Sequence, residues 1–452
     1  MTSMVIRGAD GIFTGLPGDA MRATGAIRVR NGRIAAIGDL AREPGEAIVD
    51  ASGCVIYPGL VSTHHHLFQS ILKGVRAGMN LPLMGWLRSV PHSYWHKVDE
   101  EELYTAARIG LVELLLSGTT TAADHHYVFS DTYRFDPADV IFEVARDLGM
   151  RLVFCRGGGT MARPVDGERP MPCEPLDAMI KSIAACAQRF HDAAPDSMRR
   201  VAFAPTSPPW SVKPDELKVI AAAARELGLR LHSHLSETDD YVEFCLNTFG
   251  KRPVQWIAEH DWLGPDVWFA HLVHLDEAEI ALLVETGTGM SHCPQSNCRL
   301  GSGIAPADRI ASRGGLVSLA VDGAASNESA DMISEMHSAW HTHRAAKGAG
   351  ATTVEEVVRW ATVNGARVLG FPDIGVLAPG KLADLAIFNL SSPRYFGLHD
   401  PLTGPVAGAG AADLKILMVG GRIVVENGAI PGFDIEKLRR DAAAVINRIA
   451  DA

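Results

Sequence analysis

The chain has 452 residues, 47% of them apolar, and a formal net charge of −11. That length buries a large core, as two or three domains or as one (β/α)8 barrel with a small accessory domain. The acidic balance repels phosphate backbones, and no Lys/Arg run builds a basic groove, which argues against a nucleic-acid partner. In chain order, Ala26–Arg30 alternates, Asn31-Gly32 is a hairpin turn, and Arg33–Ile37 returns. The middle alternates short apolar strands with amphipathic helical stretches. Val201–Ala204 precedes a helix around Pro214–Leu227, and Leu229–His234 precedes one near Asp240–Phe249. Val267–His271 precedes a helix near Asp276–Thr286, and Leu316–Val321 is a further strand. This rhythm predicts a parallel sheet with helical crossovers, in a number that suits a closed barrel. Near the C-terminus the style is β again: Ala383–Phe388, then Leu414–Val419, then Gly420-Gly421 turning into Arg422–Val425. The predicted architecture is an α/β (β/α)8 TIM barrel over 59–377, with a composite β-sandwich from 1–58 and 378–452.

Seven cysteines (54, 155, 173, 186, 245, 293 and 298) are odd in number and irregular in spacing. They argue against a disulfide framework and for a reducing compartment, with Cys293 and Cys298 read as ordinary buried thiols. Residues 1–13 lack a basic stretch followed by an apolar one, and no apolar run is long enough to cross a bilayer. A soluble, cytoplasmic protein without membrane partners is expected. Its oligomeric state is open, and a homo-oligomer is compatible with the sequence.

Polar residues gather at four strand ends, where barrel enzymes place their active sites. In Ser62-Thr63-His64-His65-His66, residues two apart share a face, so His64 and His66 point inward and bind one metal while His65 points away. In Leu231–Glu237, His232 and His234 share a face; one is a candidate third ligand, and Glu237 just beyond can handle protons. In Phe269–His274, one imidazole at the strand mouth can hydrogen-bond a water on the metal. In Ser318–Gly323, Asp322 closes an apolar strand, which is costly unless it is paired or ligating. Neutral imidazole and carboxylate oxygen suit zinc, and iron equally. A catalytic zinc leaves a position for water and lowers its pKa from about 15.7 towards about 7.

In these motifs the chain resembles the amidohydrolase superfamily, in its aromatic-deaminase and chlorohydrolase-like branch. The resemblance spans nearly the whole length, including Asn31–Ile34, Asn364–Arg367 and Pro379–Leu385. It implies that His64, His66, His234 and Asp322 are the ligands, that Glu237 shuttles protons and that His271 orients the nucleophile. Asp322 then also has a catalytic part, as proton acceptor, and His232 is left in a supporting or structural place. Binuclear branches carry a Lys after the fourth strand; Ala202–Ser207 has none, which implies one metal ion, zinc or iron. His64–Gln69, Arg156–Gly159, Gly323–Asn327 and Arg394–Pro401 are similar to the group holding isoxanthopterin and 8-oxoguanine deaminases and triazine hydrolases. Thr206 departs from the His of nucleoside deaminases in the branch.

The resemblance therefore implies hydrolytic deamination of a small aminated heterocycle, with isoxanthopterin first. Alternatives are an 8-oxoguanine or isocytosine-type substrate, triazine chloro- or aminohydrolysis, a two-metal cyclic amidase, and an inactive scaffold. Gln69 can donate and accept to a ring edge, Arg156 can bind a ring oxygen, Trp86 can cover the ring face, and Thr206 is a further expected substrate contact. Residues 80–95 are expected to form a lid, and 292–297 the seventh strand's exit loop near the substrate. With the ligand set complete, His125 and His126 are expected in structural or substrate-side places.

Overall fold

The computed structural model describes residues 3–162 and 170–451. Eight parallel strands run in sequential order: β1 (Leu60–Ser62), β2 (Thr119–His126), β3 (Arg151–Arg156), β4 (Arg199–Phe203), β5 (Arg230–Leu235), β6 (Val267–His271), β7 (Gly289–His292) and β8 (Val317–Leu319). The sheet closes on itself where the Thr63 amide donates to the Leu319 carbonyl at 3.2 Å and His65 bridges Asp322. Barrel interior on one face and helices on the other explain the continuous burial of β2, β3 and β6. Inside the barrel, Val61, Ala123, Val153, Cys155, Ala202, Ala204 and Trp268 pack together. Thr63 Oγ1 meets Ser291 Oγ at 2.6 Å and Ser318 Oγ at 2.8 Å, so β1, β7 and β8 are pinned by hydroxyls near their mouths.

Helices cross between strands. That after β1, Glu100–Leu116, starts with a capping box in which Asp99 and Glu102 satisfy each other's backbone donors. Glu277–Thr286 is capped the same way by Asp276 and Glu279, and ends at Gly287 in the left-handed region. Between β1 and Glu100 the chain makes short helices, Leu83–Ser89 and Pro91–Tyr94, over the barrel mouth. No helix among the described residues is long and apolar enough to cross a membrane.

Two further sheets flank the barrel. One contains Arg33–Gly38, Ala26–Arg30, Ser3–Arg7 and Ala47–Asp50. The other joins both ends of the chain: Arg422–Glu426, Leu414–Val419 and Leu385–Asn389 continue into Cys54–Pro58, Gly11–Phe13 and Arg22–Ala23. Ile6, Ile27 and Val29 from the first meet Ile12, Ile56, Leu385 and Ile387 from the second in one apolar core. The Asn31-Gly32 and Gly420-Gly421 turns both run at positive φ, and a Cβ on Gly421 would lie 2.4 Å from the Gly32 Cα. Both turns are glycine because they touch. The last helix, Ile435–Asp451, packs Leu438, Val445 and Ile449 into the core shared with the barrel helices and pairs Arg448 with Glu102 at 2.6 Å.

The β-sheet region is clamped to the barrel by a buried ion pair. Arg151, at the foot of β3, donates to the Asp384 carboxylate, which also accepts from the Gly420 amide at 2.7 Å. Asp384→Ala leaves a buried guanidinium unpaired, so a loss of roughly 3–5 kcal/mol is expected in denaturant unfolding. A loss under 1 kcal/mol would mean that the clamp is idle.

Among the free cysteines, Cys293 is buried as expected, but Cys298 is exposed. The exit of β7 coils into the helix Pro294–Arg299, and Cys298 lies on its outer side.

Candidate metal and acid-base centre

The polar strand ends converge at the top of the barrel. His64, His66, His232, His234, His271 and Asp322 are all at most 9% exposed. Three of the turns that place them use the left-handed region without glycine: Ser236 (φ 52°), His271 (φ 73°) and Asp322 (φ 62°). Each such residue costs about 1–3 kcal/mol unless its surroundings hold it there. They do so here: the Asp322 amide donates to the His64 carbonyl at 3.2 Å, and the Ser236 carbonyl accepts from Val273 and His274. The turn at Ser236 swings Glu237 over the site, where its Oε2 stands 3.6 Å from His271 Nε2.

The hydrogen-bond pattern decides where the imidazole protons sit. His66 Nδ1 lies 2.7 Å from the His125 carbonyl, and His234 Nδ1 lies 2.5 Å from the Thr206 carbonyl. A carbonyl only accepts, so each Nδ1 carries the proton and each Nε2 presents a bare lone pair. Those two Nε2 atoms face each other at 3.1 Å. Asp322 Oδ1 is 3.3 Å from His66 Nε2 and 3.3 Å from His64 Nε2, and the latter has no hydrogen-bond partner. Burial pushes the His64, His66 and His234 pKa values below the usual range, so protonation does not relieve the contact. Burial also opposes ionisation of Asp322, but the His64 contact and the surrounding imidazoles hold its pKa well below normal. Ring nitrogens this close together, with a carboxylate beside them, suit a cation. Their 3.1–3.3 Å separations match the edge of a tetrahedron around zinc, about 3.3 Å for bonds of roughly 2.0–2.1 Å. The residues present fit the metal.

His125 joins this cluster, on the inner face of β2. Its Nε2 donates to the Ala204 carbonyl at 2.6 Å, so its Nδ1 is bare, and that atom is buried without a partner. Its ring stacks on His234 at 4.9 Å, and it forms with His64, His66 and His234 a group able to hold a metal. His126, one residue on, turns outward and donates to the Val128 carbonyl. Asp124 accepts from the Leu67 amide at 2.7 Å, and burial raises its pKa to about 7.

Two residues of the β7 exit helix reach His271 and Asp322. Asn297 Oδ1 accepts from His271 Nδ1 at 3.0 Å, and Ser296 Oγ donates to Asp322 Oδ2 at 2.6 Å. Ser326 adds a second donor to that oxygen at 3.0 Å.

Above the cluster is a narrow cavity. Its floor is His66, His234, His271, Glu237 and Asp322; its walls are Gln69, Tyr127, Thr206, Trp210, Leu300 and, from the short helix over the mouth, Leu83, Trp86 and Leu87. Trp86 is fixed by an indole bond to the Ala325 carbonyl at 3.0 Å. Gln69 Nε2 donates to the Tyr127 hydroxyl at 3.1 Å, while Gln69 Oε1 is buried without a partner. Thr206 spends its hydroxyl on the Gly158 carbonyl. Tyr127, Trp210 and Leu300 carry no sequence signal as cavity walls, since nothing local marks an apolar or aromatic residue as one. Arg156 is not among the lining residues. Its guanidinium bonds Glu174 at 2.6 Å, Ser182 and the Gly157 carbonyl, and lies 3.9 Å from the Phe129 ring centroid. Cys155 and Val153 occupy the inner face of β3, so Arg156, one residue out of phase, faces the helix layer.

A Cβ on Gly323 would lie 2.0 Å from Gln69 Oε1. Gly323→Ala should displace the Gln69 amide and lower kcat/KM by about tenfold or more, with metal content unchanged. Unchanged kinetics would show that Gln69 can move without loss.

The amidohydrolase family matches residues 55–424. The chain belongs to the amidohydrolase family. It is accordingly a hydrolase of carbon–nitrogen bonds. It is 48% identical to an isoxanthopterin deaminase from an unknown prokaryotic organism, over 99% of this chain and 97% of that one. It is 39% identical to the 8-oxoguanine deaminase of Pseudomonas aeruginosa, over 98% and 99%. Among solved structures it is similar to the atrazine chlorohydrolase of Arthrobacter aurescens complexed with zinc, with 28% identity, a TM-score of 0.91 and coverage of 98% and 100%.

Proposed function

We propose that this amidohydrolase is a hydrolytic deaminase with one zinc ion, acting on a small fused heterocycle of the isoxanthopterin type. The observation that carries the reading is the set of four acceptors on His64, His66, His234 and Asp322, facing one another directly beneath the cavity and next to Glu237. Near full-length similarity to an isoxanthopterin deaminase supports the substrate class.

Those four residues would hold the ion, whose contribution when bound is to make water a nucleophile at neutral pH. Glu237 gives a proton to a ring nitrogen, which makes the adjacent carbon electron-poor. His271, held through Nδ1 by Asn297, orients the attacking water. One proton of the water restores Glu237 and the water oxygen bonds to the carbon; Asp322 takes the second proton and passes it to the amine, so the carbon–nitrogen bond breaks and ammonia leaves. Each acid-base step is worth about 10²–10⁴-fold. Gln69 Oε1 lacks a donor inside the protein, and a ring N–H supplies one. Trp86 covers the ring face. Thr206 acts mainly through its carbonyl, which holds His234. Arg156 acts at one remove, bonding the turn at Gly157 that precedes Gly158, the partner of Thr206.

A second reading, 8-oxoguanine as substrate, is favoured by the Pseudomonas relative. A panel of pterins, oxidised purines, isocytosine and aminotriazines, scored by ammonia release, separates them. Isoxanthopterin is expected to lead in kcat/KM by at least tenfold, about 1.4 kcal/mol. Equal rates on all would defeat the substrate assignment and leave deamination standing. Chloride release from a chlorotriazine without ammonia from any amine would defeat both. Two metal ions per chain by elemental analysis would favour a two-metal cyclic amidase, and iron in place of zinc would correct the ion.

A further inference from the structure

His232 lies beneath the cluster, fully buried and outside the set of four acceptors. Its Nδ1 is 3.0 Å from the Trp268 carbonyl, which can only accept. His232 Nδ1 therefore carries the proton, and its Nε2 is a lone pair. That lone pair lies 2.7 Å from His64 Nδ1. His64 must donate there, so its own proton sits on Nδ1 and its Nε2 is left bare, 3.3 Å from Asp322 Oδ1. The path then closes: Trp268 Nε1 donates to the Thr63 carbonyl at 3.1 Å, next to His64 in the chain. The His232 ring is also stacked on Trp268 at 4.4 Å and 14°.

We infer that His232 is a positioning residue that sets the tautomer of His64, so that the backbone of β6 determines which nitrogen of the first ligand faces the metal. This rests on the reading of His64 as a ligand. His66 and His234 take their tautomers from backbone carbonyls directly. His64 differs, because a second imidazole stands between it and the carbonyl. Without that acceptor, the His64 Nδ1–H is a buried donor with no partner. The ring can escape by moving its proton to Nε2, which removes the ligand lone pair.

The test is equilibrium zinc affinity, by competition with a chromogenic chelator, for the full-length wild type, His232→Leu and His232→Gln. The Gln amide oxygen can accept from His64 where His232 Nε2 did. His232→Leu is expected to bind zinc 10–100-fold more weakly, as for loss of a ligand's outer hydrogen-bond partner. His232→Gln should stay within a few-fold of wild type. Wild-type affinity in the Leu variant overturns the inference, as does a Gln variant as weak as the Leu one, which would point to stacking on Trp268 instead. A wild type that binds no zinc would remove the metal reading itself, a different result from wild-type binding with indifferent variants. Should His232→Leu not fold, the zinc-loaded wild type labelled with ¹⁵N-histidine decides. Long-range ¹H–¹⁵N correlations should show His232 protonated at Nδ1 and unprotonated at Nε2; the reverse tautomer overturns the inference.

Discussion

Glu237→Gln is expected to retain its metal and its fold and to lose nearly all turnover, with kcat falling by about 10²–10⁴-fold. The amide keeps the size of the carboxyl group, so the position 3.6 Å from His271 Nε2 stays filled. What it loses is the acidic proton that would pass to a ring nitrogen. Because Glu237 is outside the four facing acceptors, zinc content by elemental analysis should match wild type. Because it lines the cavity, KM should change far less than kcat if the substrate is held chiefly by Gln69 and the aromatic walls. Near wild-type kcat would end the assignment of Glu237 as proton donor. Loss of metal together with activity would move it into the ligand set.

Removal of the ion should have a comparably large effect on activity and an additional one on stability. In the metal-free protein, bare nitrogens of His66 and His234 face each other at 3.1 Å with a carboxylate beside them. Zinc that binds the native fold and not the unfolded chain stabilises it by about 4.1 kcal/mol at a thousandfold excess over Kd. Dialysis against a chelator should abolish ammonia release and lower the thermal midpoint by several degrees, and added zinc should restore both. In His66→Ala one ligand is missing, so added zinc should raise the midpoint little or not at all. A wild-type midpoint indifferent to zinc would contradict the reading of the four acceptors as a metal site.

Much of this centre was legible in the chain, for a definite reason. Strand side chains alternate, so His64 and His66, or His232 and His234, announce themselves as sharing a face. Alternation states the face and not the depth. Two residues along a strand is about 6.6 Å, enough to put His234 against His66 while His232 sits a layer below, against Trp268. Alternation also carries a parity. Arg156 was read as a strand-end residue facing the site, but Cys155 holds the inner face of β3 and turns Arg156 to Glu174 and Ser182. On β2 the parity is the same: His125, paired with Cys155, enters the cluster, and His126, paired with Arg156, leaves it.

Other parts had no local signal. Asn297 and Ser296 are ordinary residues of a short helix until the end of β7 sets them against His271 and Asp322. Tyr127, Trp210 and Leu300 become cavity walls only through the packing of separate loops. The left-handed backbone at His271 and Asp322 runs against local preference and persists because neighbouring strands hold it. By itself, then, the sequence determined the βα rhythm, the β-rich ends, the histidine pairs at strand mouths and the missing Lys after β4, since each is a matter of residue type and spacing. Only the tertiary structure decided which nitrogen of each imidazole is bare, because that depends on which carbonyl from another strand lies within reach, and that choice is what makes the cluster a place for a metal ion.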